Sequence, residues 1–254
     1  MIAERVERAI RHSERSERSK KHGDIETIAR SGGPRGEVVL RRRLSDGRSV
    51  EELIVNGAFA MDSSETSTER LLAVLALPTG RAGRVLVGGL GLGYTITAVS
   101  ARAVDIIDVV EIEQCLIDWA YQGLTSTLAA AAFDPRVSLH AGDVRLVLEG
   151  VSHEPVGPWD AILLDVDNGP DFLIHSENQA LYTATCLRAA YGQLTAGGTL
   201  AIWCQHPSSA LLAVLQRIAP SAREHIVDTS RGERRLPYTI YTISRANHSH
   251  PEAR

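Results

Sequence analysis

The sequence is short of the residues that would suit several functional classes. It has 3 cysteines in 254 residues, Cys115, Cys186 and Cys204, an odd and widely spaced set in apolar surroundings. That matches neither a disulfide framework nor a zinc cluster, and each is expected to be a small buried side chain in a reducing, cytoplasmic setting. The histidines are scattered and none pairs at ligand spacing with a carboxylate cluster, so no metal is expected. Aromatic residues make up only 5%, and no basic stripe with interleaved aromatics suited to stacking bases is visible, which argues against a nucleic-acid partner. The formal charge of -4 gives no overall attraction to anionic polymers or membranes. No apolar run approaches a membrane span, and the MIAERVERAI opening is charged throughout, unlike a secretory signal.

What is present is an alternation of short apolar runs with helical stretches. It begins at Val85–Val87, which is followed at once by Gly88, Gly89, Gly91 and Gly93. A buried parallel strand running into a glycine turn at the start of a helix (Tyr94 to Arg102) lets backbone approach a ligand, because no Cβ intervenes. A second run, Ile106 to Val110, ends in Glu111, about twenty residues on, the spacing at which nucleotide-binding units place a carboxylate on ribose hydroxyls. The third glycine of the dinucleotide fingerprint would fall at Tyr94, which weakens that reading. Gly89-Leu90-Gly91-Leu92-Gly93 instead resembles motif I of the S-adenosylmethionine-dependent methyltransferases.

Residues 1–36 are expected to be a basic arm, loose or solvated, with SGGPRG at 31–36 as a linker. Residues 37–80 read as a small β meander plus a helix. Strands are expected at Glu37–Arg43 and Ser49–Val55 around Ser45-Asp46-Gly47-Arg48, with a second turn at Asn56-Gly57 and a helix from Glu65 to Leu77 capped by Ser64. Residues 81–246 read as the main domain, with a loose tail from 247. After Glu111 the pattern predicts a helix carrying Leu116, Ile117 and Trp119, then a loop to Arg136 and a strand at Val137–His140 delivering Asp143 and Val144. The strand at Ala161–Leu164 delivers Asp165 into an irregular loop holding Asp167 and Asp171. Beyond it come a helix at Ala180–Leu194 ended by Gly197-Gly198, a strand at Thr199–Cys204, a helix at Ser208–Ile218, and a closing strand pair with one antiparallel edge strand. The fold class is therefore α/β, a doubly wound, mostly parallel Rossmann-like sheet.

The order of motifs resembles the spermidine synthase-like branch of the class I methyltransferase fold. It runs from LIVNGAFAMDSSETSTERLLA through VLVGGLGLG, VVEIE, AGDVRLVL and DAILLDVDNGPDF to LYTATCLRAAYGQLTAGGTLAIW. The resemblance implies S-adenosylmethionine, or its decarboxylated form, as the bound donor. Gly89, Gly91 and Gly93 would lie under its methionine part, Glu111 on the ribose, and Asp143 with Val144 at the adenine. Asp143 is equally suited to cap the next helix, and the two roles are compatible. Asp165 matches the family's catalytic aspartate, which binds and deprotonates the attacking amine, with Asp167 beside it; an Asx-turn loop whose acids bond only backbone is the alternative. Asp171, Tyr182 and Gln205 are candidates for the acceptor pocket, Tyr182 being equally suited to helix packing.

Departures qualify the match. The motif I aspartate that holds the donor amine in aminopropyltransferases is replaced here by Leu92, and the glutamine and Tyr-His pair of the meander signature by Ala60, Glu69 and Arg70. The expectation is a methyl transferase acting on a small amine- or hydroxyl-bearing metabolite. A polyamine aminopropyltransferase is the alternative, and a non-catalytic nucleoside-binding scaffold the second alternative. A homodimer is compatible with this reading.

Overall fold

The computed structural model describes residues 25–33, 35–45, 47–78, 81–231 and 234–247. The sequence readings for the basic arm up to residue 24, for Asp46 and for the tail beyond residue 247 lie outside them. The chain divides into two compact units, with the boundary after Ser64.

The first unit is a four-stranded antiparallel sheet, β1 (Ile25–Gly33), β2 (Gly36–Ser45), β3 (Arg48–Val55) and β4 (Ala58–Asp62), paired in chain order. Asn56 and Gly57 both adopt positive φ, 51° and 74°, the geometry of a two-residue hairpin turn between β3 and β4. The Arg41 and Arg43 guanidiniums converge on Glu52, with Arg41 Nε 2.6 Å from its Oε2, and Arg43 reaches Asp62 at 3.3 Å. The linker expected at 31–36 is instead the end of β1 and the turn into β2, where Gly32 pairs with Glu37 and Gly33 with Gly36.

The second unit begins with helix α1 (Ser67–Ala76), which the sequence reading had grouped with the meander. Thr66, not Ser64, stands at its N-cap position; the Ser64 hydroxyl is bonded to Asp62 at 2.6 Å. There follow β5 (Arg81–Gly88), α2 (Tyr94–Ser100), β6 (Ala103–Glu111), α3 (Gln114–Tyr121), α4 (Ser126–Phe133), β7 (Val137–Ala141), α5 (Val144–Leu148) and β8 (Trp159–Leu164). A 3-10 turn (Ser176–Tyr182), α6 (Ala184–Gly192), β9 (Leu194–Cys204), α7 (Ser209–Ile218), β10 (Arg223–Arg231) and β11 (Arg234–Ser244) complete it.

The seven strands lie in the order β10-β11-β9-β8-β5-β6-β7, and β11 runs antiparallel to both its neighbours. That strand is therefore inserted inside the sheet, and β10, not β11, forms the edge. Three further expectations are corrected. The loop before Asp134 contains α4, capped by the Thr125 hydroxyl on the Leu128 N–H at 3.2 Å. The helix expected from Ala180 begins as the 3-10 turn and ends at Gly192. Gly197 and Gly198 lie inside β9, with Gly197 at φ 77° beside Asn247.

Leu86, Ile162, Leu164, Leu200 and Ile202 form one buried face of the sheet under Val147, Leu187 and Leu211 of α5, α6 and α7. Each such side chain contributes about 1.5–3 kcal/mol by leaving water. Helix α1 packs on the opposite face, over β8 and β9, with α2 beside it. Chain order leaves β5 toward β6 and β7 on one side, then returns to β8 and β9 on the other. The carboxyl ends of β5 and β8 thus flank the topological switch point, where open α/β sheets bind ligands.

Candidate functional site

At the end of β5 the glycine turn is shaped by contacts that exclude side chains. Gly89, Gly91 and Gly93 take φ of 93°, 51° and 87°. A Cβ on Gly89 would sit 2.3 Å from the Asp165 carbonyl oxygen, and one on Gly93 would sit 3.0 Å from that of Thr127. Both the positive φ and the close approach require glycine. The Gly89 N–H donates to the Val110 carbonyl at 2.9 Å and the Asp165 N–H to that of Gly88 at 2.9 Å, so the turn is fastened to both neighbouring strands.

Glu111 closes β6 directly beside this turn. Its Oε2 accepts the Leu90 N–H at 2.7 Å and its Oε1 the Glu113 N–H at 2.8 Å. Burial pushes its carboxyl above the usual range, and the Glu113, Leu90 and Gly91 N–H groups oppose that shift. A carboxylate offers about four lone-pair sites, and these backbone bonds leave part of that capacity for a ribose hydroxyl. Asp143 lies on the next strand's tip, two residues past Ala141, which is level with Glu111. It caps α5, accepting the Arg145 N–H at 2.8 Å, while its Oδ2 stands 3.5 Å from Arg145 Nε. The capping role is thus present, and its carboxylate stays a third exposed. Val144 is buried; a Cβ on Gly88 would stand 3.1 Å from its methyls, so it forms the floor where β5 ends.

Asp165 follows β8. The Thr95 hydroxyl, in the first turn of α2, donates to its Oδ2 at 2.5 Å. Burial raises its carboxyl and the Thr95 bond opposes that. Asp167 has a different position from the one expected of a catalytic acid. At φ 60° it turns its carboxylate into the loop, accepting N–H groups of Asn168 (2.8 Å), Ile174 (2.7 Å) and His175 (3.3 Å) and the Asn178 amide (2.7 Å). Those bonds make it the organiser of residues 167–178, the Asx-type reading of this segment. Asp171 is exposed on the same loop, next to Phe172, which meets His206 edge-on at 4.8 Å. Tyr182 is buried in the core and donates to the Val166 carbonyl at 2.9 Å, so it is a packing residue that steadies the segment next to Asp165. The Gln205 N–H donates to the Asn168 carbonyl at 3.1 Å, joining the ends of the loops after β8 and β9.

Leu92 is fully buried, so position 92 faces the protein interior. Glu69 was visible in the sequence only as a departure from a motif. In the first turn of α1 it is buried, accepts the Thr68 hydroxyl at 2.9 Å, and lies within the field of Asp165. Burial first and Asp165 second push its carboxyl up to about 7. The cue available in the sequence was an acid three residues before the apolar Leu72, on the side of the helix that faces the core.

No protein-family model matches the chain, and no curated protein matches it in sequence. Solved structures do. A spermidine synthase in complex with the transition-state analogue AdoDATO superposes with a TM-score of 0.71 at 17% identity, over 87% of this chain and 74% of that one. The spermidine synthase from Thermotoga maritima gives 0.69 at 16% identity, over 87% and 73%. The chain therefore has the class I methyltransferase fold in its spermidine synthase-like form, with the antiparallel four-stranded sheet preceding the seven-stranded one. No helix among the described residues is long and apolar enough to cross a membrane.

Proposed function

We propose that the protein is an S-adenosylmethionine-dependent transferase acting on a small acceptor. The observation that carries this reading is the pairing of Glu111 with the glycine turn. A buried acid fixed by the Leu90 N–H at the tip of β6 has lone pairs left over, beside a backbone that admits no Cβ. The donor set fits an adenosyl group. Glu111 would hold the ribose hydroxyls, Asp143 and Val144 the base, and the glycine backbone would lie under the amino-acid portion. When bound, the sulfonium supplies an electrophilic carbon.

The chain's own residues then have two tasks. Asp165, oriented by Thr95, positions the acceptor's nucleophile, while the loop fastened by Asp167 holds the acceptor side in place. Methyl transfer is our reading of the group moved, because Leu92 offers no acid for the amine of a decarboxylated donor. Aminopropyl transfer is the second reading. It is favoured by the likeness to two spermidine synthases and by the acids Glu69 and Asp165, which suit a cationic acceptor.

Calorimetry with S-adenosylhomocysteine tests the site, and absence of binding at millimolar concentration would favour a non-catalytic scaffold. Incubation with S-adenosylmethionine, or with the decarboxylated donor plus putrescine, separates the two transfers. Release of methylthioadenosine only in the second mixture would overturn the methyl reading.

A further inference from the structure

We propose that Glu69 is a second catalytic acid of the acceptor site, the group that takes the acceptor's proton while Asp165 orients the nitrogen. The proposal rests on the transferase reading above and gives Glu69 a role in the transfer step itself.

Three placements carry it. Helix α1 packs on β8 and β9, and the Leu77 carbonyl at its C-terminus accepts from Arg102, beyond the far end of α2, at 3.0 Å, so Glu69 in its first turn lies toward the carboxyl ends of those strands, with only 6% of its surface exposed. The Asp165 carboxylate follows β8 on the same face of the sheet, and neither acid has a lysine, arginine or histidine partner among the described residues. Leu163 is level with Ala201 in the parallel β8–β9 pair, so Asp165 comes level with Trp203 on that face. The indole N–H of Trp203 is buried there and has no hydrogen-bond partner among the described residues, although the ring stacks on Tyr238 at 5.4 Å. Two acids without a cation and a donor without an acceptor, on one face of the sheet, form an incomplete polar set. An ammonium-bearing acceptor with an oxygen or second nitrogen would complete it.

The charged groups acting on Glu69 are Asp165, from the β8 end, and Glu65, from the turn before its own helix; both raise its affinity for a proton, while the Thr68 hydroxyl lowers it. Arg70 is exposed on the same helix. Burial and the neighbouring Asp165 charge therefore favour a proton on Glu69. Entry of an ammonium displaces that proton to solvent and leaves both carboxylates ionised around the cation. In the transfer step an N–H bond of the ammonium breaks, its electron pair stays on nitrogen, and the proton passes to the Glu69 carboxylate. The freed pair forms the new bond to carbon as the carbon–sulfur bond breaks, with its electrons going to sulfur.

The test is carboxyl-carbon NMR of the full chain with labelled glutamate, between pH 5 and 9, in wild type, E69Q and D165N. One glutamate resonance should titrate near 7, vanish in E69Q, and move down by about one unit in D165N. Methylammonium chloride should lower that midpoint by about half a unit or more relative to sodium chloride at equal ionic strength. The D165N and methylammonium measurements stand even if E69Q does not fold. A Glu69 midpoint among ordinary glutamates, or one indifferent to Asp165 or to methylammonium, overturns the proposal. S-adenosylhomocysteine binding, measured on the same samples, reports separately on the adenosyl site: its absence with a normal Glu69 titration refutes the transferase reading and leaves the acid pair standing.

Discussion

Replacing Gly89 by alanine should strain the site and destabilise the larger unit with it. Its φ of 93° lies where an L side chain is strained, at a cost of about 1–3 kcal/mol. The added Cβ would also stand 2.3 Å from the Asp165 carbonyl oxygen, which is backbone and cannot swing away as a side chain would. Relief requires β5 and β8 to separate at their tips, which strains the Asp165-to-Gly88 and Gly89-to-Val110 hydrogen bonds, each 2.9 Å long. Two weakened buried bonds add about 1–2 kcal/mol, for a total of about 2–5 kcal/mol, with about 3 kcal/mol as a central value. In a unit of this size that lowers Tm by about 6–12 °C, read by calorimetry or circular dichroism. Gly142 is the internal control. It lies at the same edge of the sheet, its N–H bonds the Glu111 carbonyl at 2.9 Å, and a Cβ there meets nothing within 4 Å. G142A should be neutral, or more stable by about 0.5 kcal/mol through the unfolded chain. If G89A melts within about 1 °C of G142A, the close approach of the turn to β8 is not a constraint and the argument for a glycine cradle fails.

Other outcomes follow from the same geometry. E111Q keeps the volume but loses the charge and one acceptor oxygen, so S-adenosylhomocysteine should bind roughly 10–100-fold more weakly, as expected for lost charge-assisted hydrogen bonds; calorimetry giving unchanged affinity would remove Glu111 from the ribose. D167A strands four N–H donors, so limited proteolysis should cut residues 167–178 faster while Tm falls only modestly, by about 2–4 °C; equal cleavage would show that the carboxylate does not hold the loop. For Glu69 the folded carboxyl titrates at about 7 against 4.5 for the free group, so between those values the folded state holds a proton that the unfolded chain has released. Stability must therefore fall as pH rises from about 4.5 to about 7, by up to about 3 kcal/mol, and E69Q should flatten that slope in denaturant titrations. A wild-type slope identical to that of E69Q would show that Glu69 is ionised in the folded protein throughout.

The larger unit was legible wherever local pattern and tertiary role agree. The apolar runs at Val85–Val87, Ile106–Val110 and Ala161–Leu164 are parallel strands, buried except at Ile106, and the glycines at 89, 91 and 93 each occupy positive φ. Helix α4 was missed because STLAAAAF carries alanine on every side and so shows no face. Strand β1 was missed because IETIARSGG is an edge strand with little to bury, held by pairing with β2, and pairing partners are not written in a strand's own residues. The two glycines inside β9 read as a terminator, because nothing local reports that Gly197 is packed against a residue fifty positions away.

The acids make the same point more sharply. Asp143, Asp165 and Asp167 are chemically identical and all follow strand tips, so residue type alone gives them equal claims to a site. What separates them is where the backbone N–H groups fall. Asp143 spends one oxygen on its own helix and turns the other toward Arg145, Asp165 accepts one hydroxyl and no other donor among the described residues, and Asp167 is saturated by the loop it closes. A carboxylate already holding four donors has no free lone pair for a substrate, so on the proposed reading the chemistry falls to Asp165 and, by the same test, to Glu69, whose carboxyl accepts the Thr68 hydroxyl and its own backbone N–H. Unsatisfied acceptor capacity in a buried acid, more than its position at a strand end, is the property on which the proposed acceptor site rests, and it becomes visible only once the chain is folded.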